Sequence, residues 1–224
     1  MIRLRFTLLL AVCVMAACLN AAYALGSGSK AIGNVLLTDG QRLDSITIEL
    51  PRDIDQQVKI TIGGKTRKLP TDSIDCMVVW HKKNPGNQYI FKPFRSEIMN
   101  LDTGESTGLS KRTFWLCLEQ VGEHVSLWSD IGRPSLKKGK MQFNFANQYS
   151  GASLRYALIH GHSHPSYMPD KEKDCKKWIR HYFKDDPELI RRLDAGEYQA
   201  KASVWGNKYT DIARIIKDYN PKKE

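Results

Sequence analysis

The segment of residues 160–165, His-Gly-His-Ser-His-Pro, holds the side chains with the clearest capacity for chemistry. In an extended chain, residues two positions apart project to the same side, so His160, His162 and His164 can present three imidazoles together. Three imidazoles bind zinc and leave a fourth position open for water, and zinc-bound water supplies hydroxide near neutral pH. We take these histidines, together with Asp170, as a candidate metal site, with zinc as the cofactor that they would bind.

A second interpretation gives these histidines no metal. Pro165 and Pro169 are typical of a surface turn, in which the imidazoles would be solvated and no cofactor would bind. Three further side chains close by could add a ligand or orient one, namely Asp174, Cys175 and His181. The sequence leaves both interpretations open.

The stretch His-Ser-His-Pro at 162–165 resembles the HxHP core of JAMM-type zinc metalloproteases. This resemblance implies that His162 and His164 are zinc ligands and that Asp170 or Asp174 is the third ligand. It also implies an upstream glutamate as general base, for which the candidates are Glu97, Glu105, Glu119 and Glu123.

The first 24 residues have the pattern of a secretory signal peptide. Arg3 and Arg5 precede an apolar run, and Ala-Tyr-Ala at 22–24 is a small-x-small cleavage signal. This pattern predicts an exported protein, located in the periplasm, on the outer-membrane surface or outside the cell. The alternative is lipidation at Cys18, which ends a loose lipobox, Met-Ala-Ala-Cys. No later stretch is apolar enough to span a membrane, so we expect no transmembrane segment after signal removal.

The charge of the chain does not indicate a nucleic-acid partner. The formal net charge is +10, and it falls to +8 once the signal segment, with two arginines and no acid, is removed. Lysines and arginines are scattered, and they do not interleave with aromatic residues as in a nucleic-acid groove. We therefore expect no nucleic acid as partner, and instead an envelope component whose identity the sequence does not give.

Three cysteines remain after signal removal, Cys76, Cys117 and Cys175. Export permits disulfides, but an odd number allows at most one pair within the chain. Cys76 and Cys117 lie in apolar runs, where a free thiol behaves as a small hydrophobic side chain. We favour buried free thiols over a bridge, although the sequence leaves the pairing open.

Residues 25–165 are predicted to form a β-rich body. Short stretches alternate apolar and polar residues, and turn signals such as Asp39-Gly40 and Gly63-Gly64 separate them. The apolar run at 76–80 predicts a more buried strand. Many short strands with regularly spaced turns indicate an antiparallel β-meander, or a small barrel or sandwich.

Residues 166–224 have a helical pattern that predicts two or three short helices. Apolar residues recur at helical spacing after Asp170, Asp186 and Pro187 suit an N-cap and a first helical position, and a last helix is predicted at about 210–219. Helices this short need tertiary packing to persist, so we expect them to dock on the β body. The predicted fold class is α+β.

The chain also resembles a group of secreted, functionally uncharacterised proteins of Bacteroidetes-type bacteria. Three segments carry this resemblance: Leu-Thr-Asp-Gly-Gln at 37–41, Tyr-Phe-Lys-Asp-Asp-Pro-Glu-Leu-Ile at 182–190, and Ile-Ile-Lys-Asp-Tyr-Asn at 215–220. It implies an envelope or extracellular setting and a fold of strands plus helices, and it carries no catalytic residues. Our prediction is an exported cell-envelope protein that acts through a binding surface on its β body and is not an enzyme. The alternative is a zinc-dependent hydrolase that uses the histidine cluster.

Overall fold

The structure is a computed structural model that describes residues 29–137, 140–144, 154–201 and 208–221. It confirms the predicted α+β class, with mostly antiparallel strands in one large sheet. The predicted signal peptide and the lipobox residue Cys18 lie outside the described residues.

The elements in the described part of the chain are sixteen strands, one short 3-10 helix (Thr71–Ser73) and three α-helices. The strands are β1 (Lys30–Leu37), β2 (Arg42–Glu49), β3 (Gln57–Ile62), β4 (Lys65–Pro70), β5 (Ile74–His81), β6 (Asn84–Phe94), β7 (Glu97–Met99), β8 (Ser106–Leu109), β9 (Phe114–Val121), β10 (Val125–Asp130), β11 (Arg133–Lys137), β12 (Lys140–Asn144), β13 (Arg155–Ile159), β14 (Ser166–Met168), β15 (Gln199–Lys201) and β16 (Lys208–Thr210). The helices are α1 (Glu172–Tyr182), α2 (Pro187–Asp194) and α3 (Ile212–Asp218).

Twelve of these strands form one sheet, in the order β4-β3-β2-β1-β5-β6-β9-β10-β13-β14-β7-β8. The pairing is antiparallel throughout except between β14 and β7, where Ser166 and Glu97 are parallel neighbours. Two separate hairpins, β11 with β12 and β15 with β16, complete the strands. The meander that the sequence predicts is therefore present, and the sheet is open rather than a closed barrel.

The sheet curls back on itself. Only Arg95 and Ser96 separate β6 from β7 in the chain, yet four strands lie between β6 and β7 in the sheet order. The rings of Phe94 and Trp128, on strands that are not neighbours, lie with their centroids 5.0 Å apart. Because next-but-one strands are roughly 9–10 Å apart in a flat sheet, this contact places both rings on the inner side of the curl.

Local sequence signals explain several of the turns and helix ends. In the β1–β2 hairpin, the side chain of Asp39 accepts a hydrogen bond from the amide of Gln41 at 2.9 Å, and Gly40 adopts a φ of 85°. At the start of α2, the side chain of Asp186 accepts from the amide of Leu189 at 2.9 Å, and Pro187 occupies the first turn. These contacts confirm the predicted hairpin and the predicted helix start.

Buried apolar side chains form three clusters. The body cluster fills the β1–β6 region and includes Val35, Ile48, Ile60, Met77, Phe91 and Trp115. The helix cluster joins α1, α2 and α3 to β10 and β13, and includes Leu127, Ala157, Trp178, Ile179, Leu189 and Ile216. The inner-face cluster consists of buried Phe94, Leu116, Trp128 and Tyr156 with half-buried Ile90, Phe114, Leu118, Leu154, Leu158 and Tyr167. The helices thus pack on β10 and β13, on the face opposite the inner-face cluster.

The C-terminal region also contains strands that the helical pattern does not predict. β14, β15 and β16 each have three residues, and all three lie beyond residue 165. Strands this short are too brief to produce an alternating pattern that differs from a loop. The predicted last helix begins later than expected, because Asp211 caps α3 by accepting from the amide of Arg214 at 3.1 Å.

The three cysteines within the described residues are free thiols. Cys117 and Cys175 are buried, and burial raises the pKa of each thiol to about 12. Cys76 is half-buried. No helix among the described residues has the length and apolar character needed to cross a membrane.

Candidate functional site

The histidine segment is a tight turn between β13 and β14. The amide of His160 donates to the carbonyl of His124 at 2.8 Å, and the amide of His162 donates to the carbonyl of Ile159 at 3.0 Å. Gly161, between them, has a φ of 91°, a left-handed conformation that glycine adopts without strain. The turn therefore ends β13 sharply and leads residues 162–164 toward the end of β6.

Two long-range hydrogen bonds join this turn to the chain after β6. The carbonyl of Pro165 accepts from the amide of Glu97 at 2.8 Å. The Nδ1 atom of His164 lies 3.2 Å from the carbonyl oxygen of Arg95. A carbonyl oxygen can only accept, so Nδ1 is the donor in this pair, and Nε2 is the ring nitrogen left for a ligand.

A surface cleft of about 360 Å³ opens between this turn and the ends of β5 and β6. Its walls combine cationic, imidazole, hydroxyl and apolar groups with a single carboxylate. The lining residues are Asp75, Lys92, Pro93, Phe94, Arg95, Leu158, His162, Ser163 and His164.

Positive charge exceeds negative charge in this cleft. Lys92 Nζ lies 2.8 Å from a carboxylate oxygen of Asp75, so the one carboxylate that the described part of the chain contributes to the lining is already paired. Arg95 donates through Nε to the carbonyl of Ser110 at 2.8 Å, which fixes the base of the guanidinium group. Within the described ranges no ion pair joins Arg95 to a carboxylate, and its side chain is exposed. The cleft therefore offers an incoming anion the Arg95 cation and the His162 imidazole, because the Nδ1–H of His164 is already donated to the Arg95 carbonyl.

The apolar part of the cleft is held rigidly. Phe94 is only 5 % exposed, and its ring meets that of Trp128 edge-on at an interplanar angle of 77°. Lys92 Nζ lies 5.6 Å from the centroid of the Phe94 ring. The ammonium group and the apolar wall are thus neighbours in one small space.

The structure brings together two of the four residues of the predicted metal site. His162 and His164 line the cleft. His160 is exposed at the start of the turn, and Asp170 is exposed just before α1; neither belongs to the lining. Among the described residues, no group of three or more His, Cys, Asp or Glu side chains is placed to hold a metal ion.

The other residues considered as ligands or bases lie elsewhere. Cys175 is buried in the helix cluster, and Asp174, also on α1, is half-buried. His181 packs against the backbone of Gly104. Of the candidate glutamates, Glu119 pairs with Arg155 and Glu123 lies 3.7 Å from His124. Glu97 and Glu105 belong to the β7–β8 region and do not line the cleft.

Sequence reasoning missed Asp75, Lys92 and Arg95 as site residues. Each lies far along the chain from the histidines, and Arg95 and His164 are 69 positions apart. The charged residues carry no local motif, so only the curl of the sheet reveals that they face the histidine turn.

A second polar feature lies on the inner face. Asp130 is 8 % exposed, and one of its carboxylate oxygens accepts from the amide of Leu154 at 3.1 Å. Burial, and then the nearby charge of Asp53, raise the pKa of Asp130 to about 6. Burial likewise raises the pKa of Asp53. These carboxyls lie outside the cleft lining and affect stability rather than the candidate site.

Comparison with known proteins finds no matching family model, no matching curated protein and no matching solved structure.

Proposed function

We propose that this is an exported cell-envelope protein that binds an anionic group in the cleft between the histidine turn and β6, and that it acts by binding rather than by catalysis. One observation carries the proposal: Lys92, Arg95, His162 and His164 converge on one small cleft, and Asp75, the one carboxylate among its described lining residues, is paired with Lys92. A carboxylate or phosphate group can accept charge-assisted hydrogen bonds from Arg95 and Lys92, and His162 can donate a further hydrogen bond.

Export is supported by the signal-peptide pattern of the first 24 residues. The proposed location is the periplasm, the outer-membrane surface or the extracellular space. The proposed partner is therefore an anionic component of the envelope or its surroundings, and not a nucleic acid.

The test is a titration of the tag-free mature protein with inorganic phosphate, followed by amide chemical shifts in nuclear magnetic resonance spectra. We expect saturable shifts at the amides of Lys92, Phe94 and Arg95 and at those of residues 162–164. Arg95→Gln should weaken phosphate binding by at least about tenfold, because a hydrogen bond to a charged group contributes about 1.5–3 kcal/mol and about 1.4 kcal/mol is a factor of ten.

Two variants control for general effects of charge and of the turn. Lys111→Gln removes an exposed cation near Ser110 that does not line the cleft, and His160→Gln changes a histidine of the same turn outside the lining. Both should bind phosphate like the unchanged protein. Equal weakening in Arg95→Gln and Lys111→Gln would mean that only the overall charge attracts phosphate, and the proposal would be wrong.

A zinc-dependent hydrolase is the second candidate, and one observation favours it. The Arg95 carbonyl fixes the proton of His164 on Nδ1, and a backbone acceptor of this kind orients metal-binding histidines in many proteins. His162 and His164 would hold the metal, while Asp75 of the same lining is paired with Lys92. Zinc bound there would supply an acidic water, while Arg95 would position an anionic group beside it.

The two candidates predict different responses to the same substitutions. Zinc content, measured by mass spectrometry on tag-free protein, should fall in His162→Ala and His164→Ala but persist in Arg95→Gln if zinc is the natural ligand. Phosphate affinity should fall in Arg95→Gln and His162→Ala if the site binds anions. Retained zinc together with hydrolysis of a peptide or ester substrate would favour the hydrolase.

A further inference from the structure

We infer that the anion held in this cleft is the head group of a small amphiphile, a carboxylate joined to a compact apolar body. The inference rests on the proposed function, since it names the class of ligand for the same cleft.

The first argument is the composition of the lining. Pro93, Phe94 and Leu158 contribute apolar surface beside the cations and imidazoles. A bare inorganic anion would leave this surface in contact with water. An apolar body attached to the anion would cover it, and each buried methylene group stabilises a complex.

The second argument is that the apolar wall is preformed. Phe94 is buried against Trp128 and belongs to the inner-face cluster, so its ring cannot turn away without breaking that packing. Leu158, from β13, belongs to the same cluster and is half-buried. Preformed apolar walls with a few convergent polar groups are typical of small-molecule sites.

The third argument is size. A cleft of about 360 Å³ has room for about a dozen groups of the size of a water molecule, whose share of liquid volume is about 30 Å³. This volume lies near the lower limit of ligand pockets. At about 30 Å³ per group, the cleft has room for a carboxylate with an apolar body of about six to eight carbon atoms. A long acyl chain would not fit inside it.

The experiment compares four probes on the mature protein by chemical-shift titration: acetate, hexanoate, dodecanoate below its micelle concentration, and uncharged hexanol. Hexanoate should bind at least about tenfold more tightly than acetate, because each methylene group that is buried adds a factor of about two to four. Dodecanoate should gain little beyond hexanoate. Hexanol should bind much more weakly than hexanoate.

Leu158→Thr should remove most of the difference between hexanoate and acetate while leaving phosphate binding intact. Its matched control is Leu118→Thr, which changes another half-buried leucine of the inner-face cluster that does not line the cleft. The control shares the expected loss of folding stability but should keep the chain-length dependence.

The outcomes separate this inference from the proposed function. Equal affinities for acetate and hexanoate, with phosphate still bound, would overturn the amphiphile and leave the anion site standing. A chain-length effect that survives Leu158→Thr but not Leu118→Thr would also overturn the inference. Failure of phosphate and of all carboxylates to bind would overturn both proposals.

Discussion

The carbonyl oxygen of Arg95 and the Nδ1 atom of His164 lie 3.2 Å apart, although 69 positions separate the two residues in the chain. Arg95 follows β6, and His164 precedes β14, which pairs with β7. The curl of the sheet is therefore what creates the cleft, because it returns the chain after β6 to the turn after β13. The geometry of that turn should accordingly control ligand affinity.

Gly161→Ala should weaken phosphate binding with only a modest loss of stability. Gly161 has a φ of 91°, and open space surrounds the position of an added Cβ, so the cost is backbone strain of about 1–2 kcal/mol rather than a clash. Relief of that strain would shift His162 and His164. Phosphate titration and urea unfolding measure the two effects.

The control for this prediction is Gly40→Ala in the β1–β2 hairpin. Gly40 has a φ of 85° and is equally open, so it should lose similar stability and keep its affinity for phosphate. Equal affinities in the two variants would show that the shape of the histidine turn does not matter for binding.

Asp130 should make the protein less stable as the pH rises. Its pKa is raised from 3.8 to about 6 in the folded protein, so the folded state binds more protons than the unfolded state between these values. Stability is then highest near pH 4 for this group, falls as the pH rises through 6, and stays lower above it.

Asp130→Asn should remove this dependence. The side-chain oxygen can still accept from the amide of Leu154, but the charge is gone. We expect a gain on the order of 1–2 kcal/mol at pH 8 that shrinks toward pH 4, measured by urea unfolding at both values. Asp44→Asn, at an exposed carboxylate in a surface pair with Arg42, is the control and should change little. A gain that does not depend on pH would contradict the assignment of the effect to charge.

The features that sequence patterns predicted are those set by neighbours in the chain. Asp39 and Asp186 each accept a hydrogen bond from an amide within three residues along the chain, so the local sequence is enough to predict the hairpin and the helix start. The parallel pairing of β7 with β14 depends on a contact between distant segments, and three-residue strands have no period to detect. The same holds for the residues of the cleft. The histidine turn is a local motif that the sequence predicts, whereas Lys92 and Arg95 lie beside it only because the sheet curls.

Gly122→Ala should disrupt the docking of α3 on the sheet. An added Cβ would clash with the carbonyl oxygen of Ile216 and would lie 3.0 Å from that of Val125. Both contacts are with backbone, which cannot move aside as a flexible side chain can. We expect a loss of about 2–4 kcal/mol in the free energy of unfolding, comparable to a severe core defect.

Gly86→Ala is the matched control for the docking prediction, because open space surrounds that position in the β5–β6 hairpin. Its unfolding free energy should change by less than about 1 kcal/mol. If both variants unfold alike in urea, close packing of α3 on the turn after β9 is not what excludes a side chain at residue 122.

Asp186→Ala should cost more than the loss of an ordinary helix cap. Asp186 is 5 % exposed, and its two carboxylate oxygens accept from the amides of Leu189 at 2.9 Å and Asn220 at 2.8 Å. The side chain thus joins the start of α2 to the segment after α3. Its removal leaves two amides without these partners, for which we expect a loss of about 2–4 kcal/mol in the free energy of unfolding, measured in urea.

Asp211→Ala is the comparison, because that half-buried cap accepts from one amide, that of Arg214, and its loss should cost about 1 kcal/mol. Equal losses would mean that the bond to Asn220 contributes nothing, and that Asp186 acts only as a local cap.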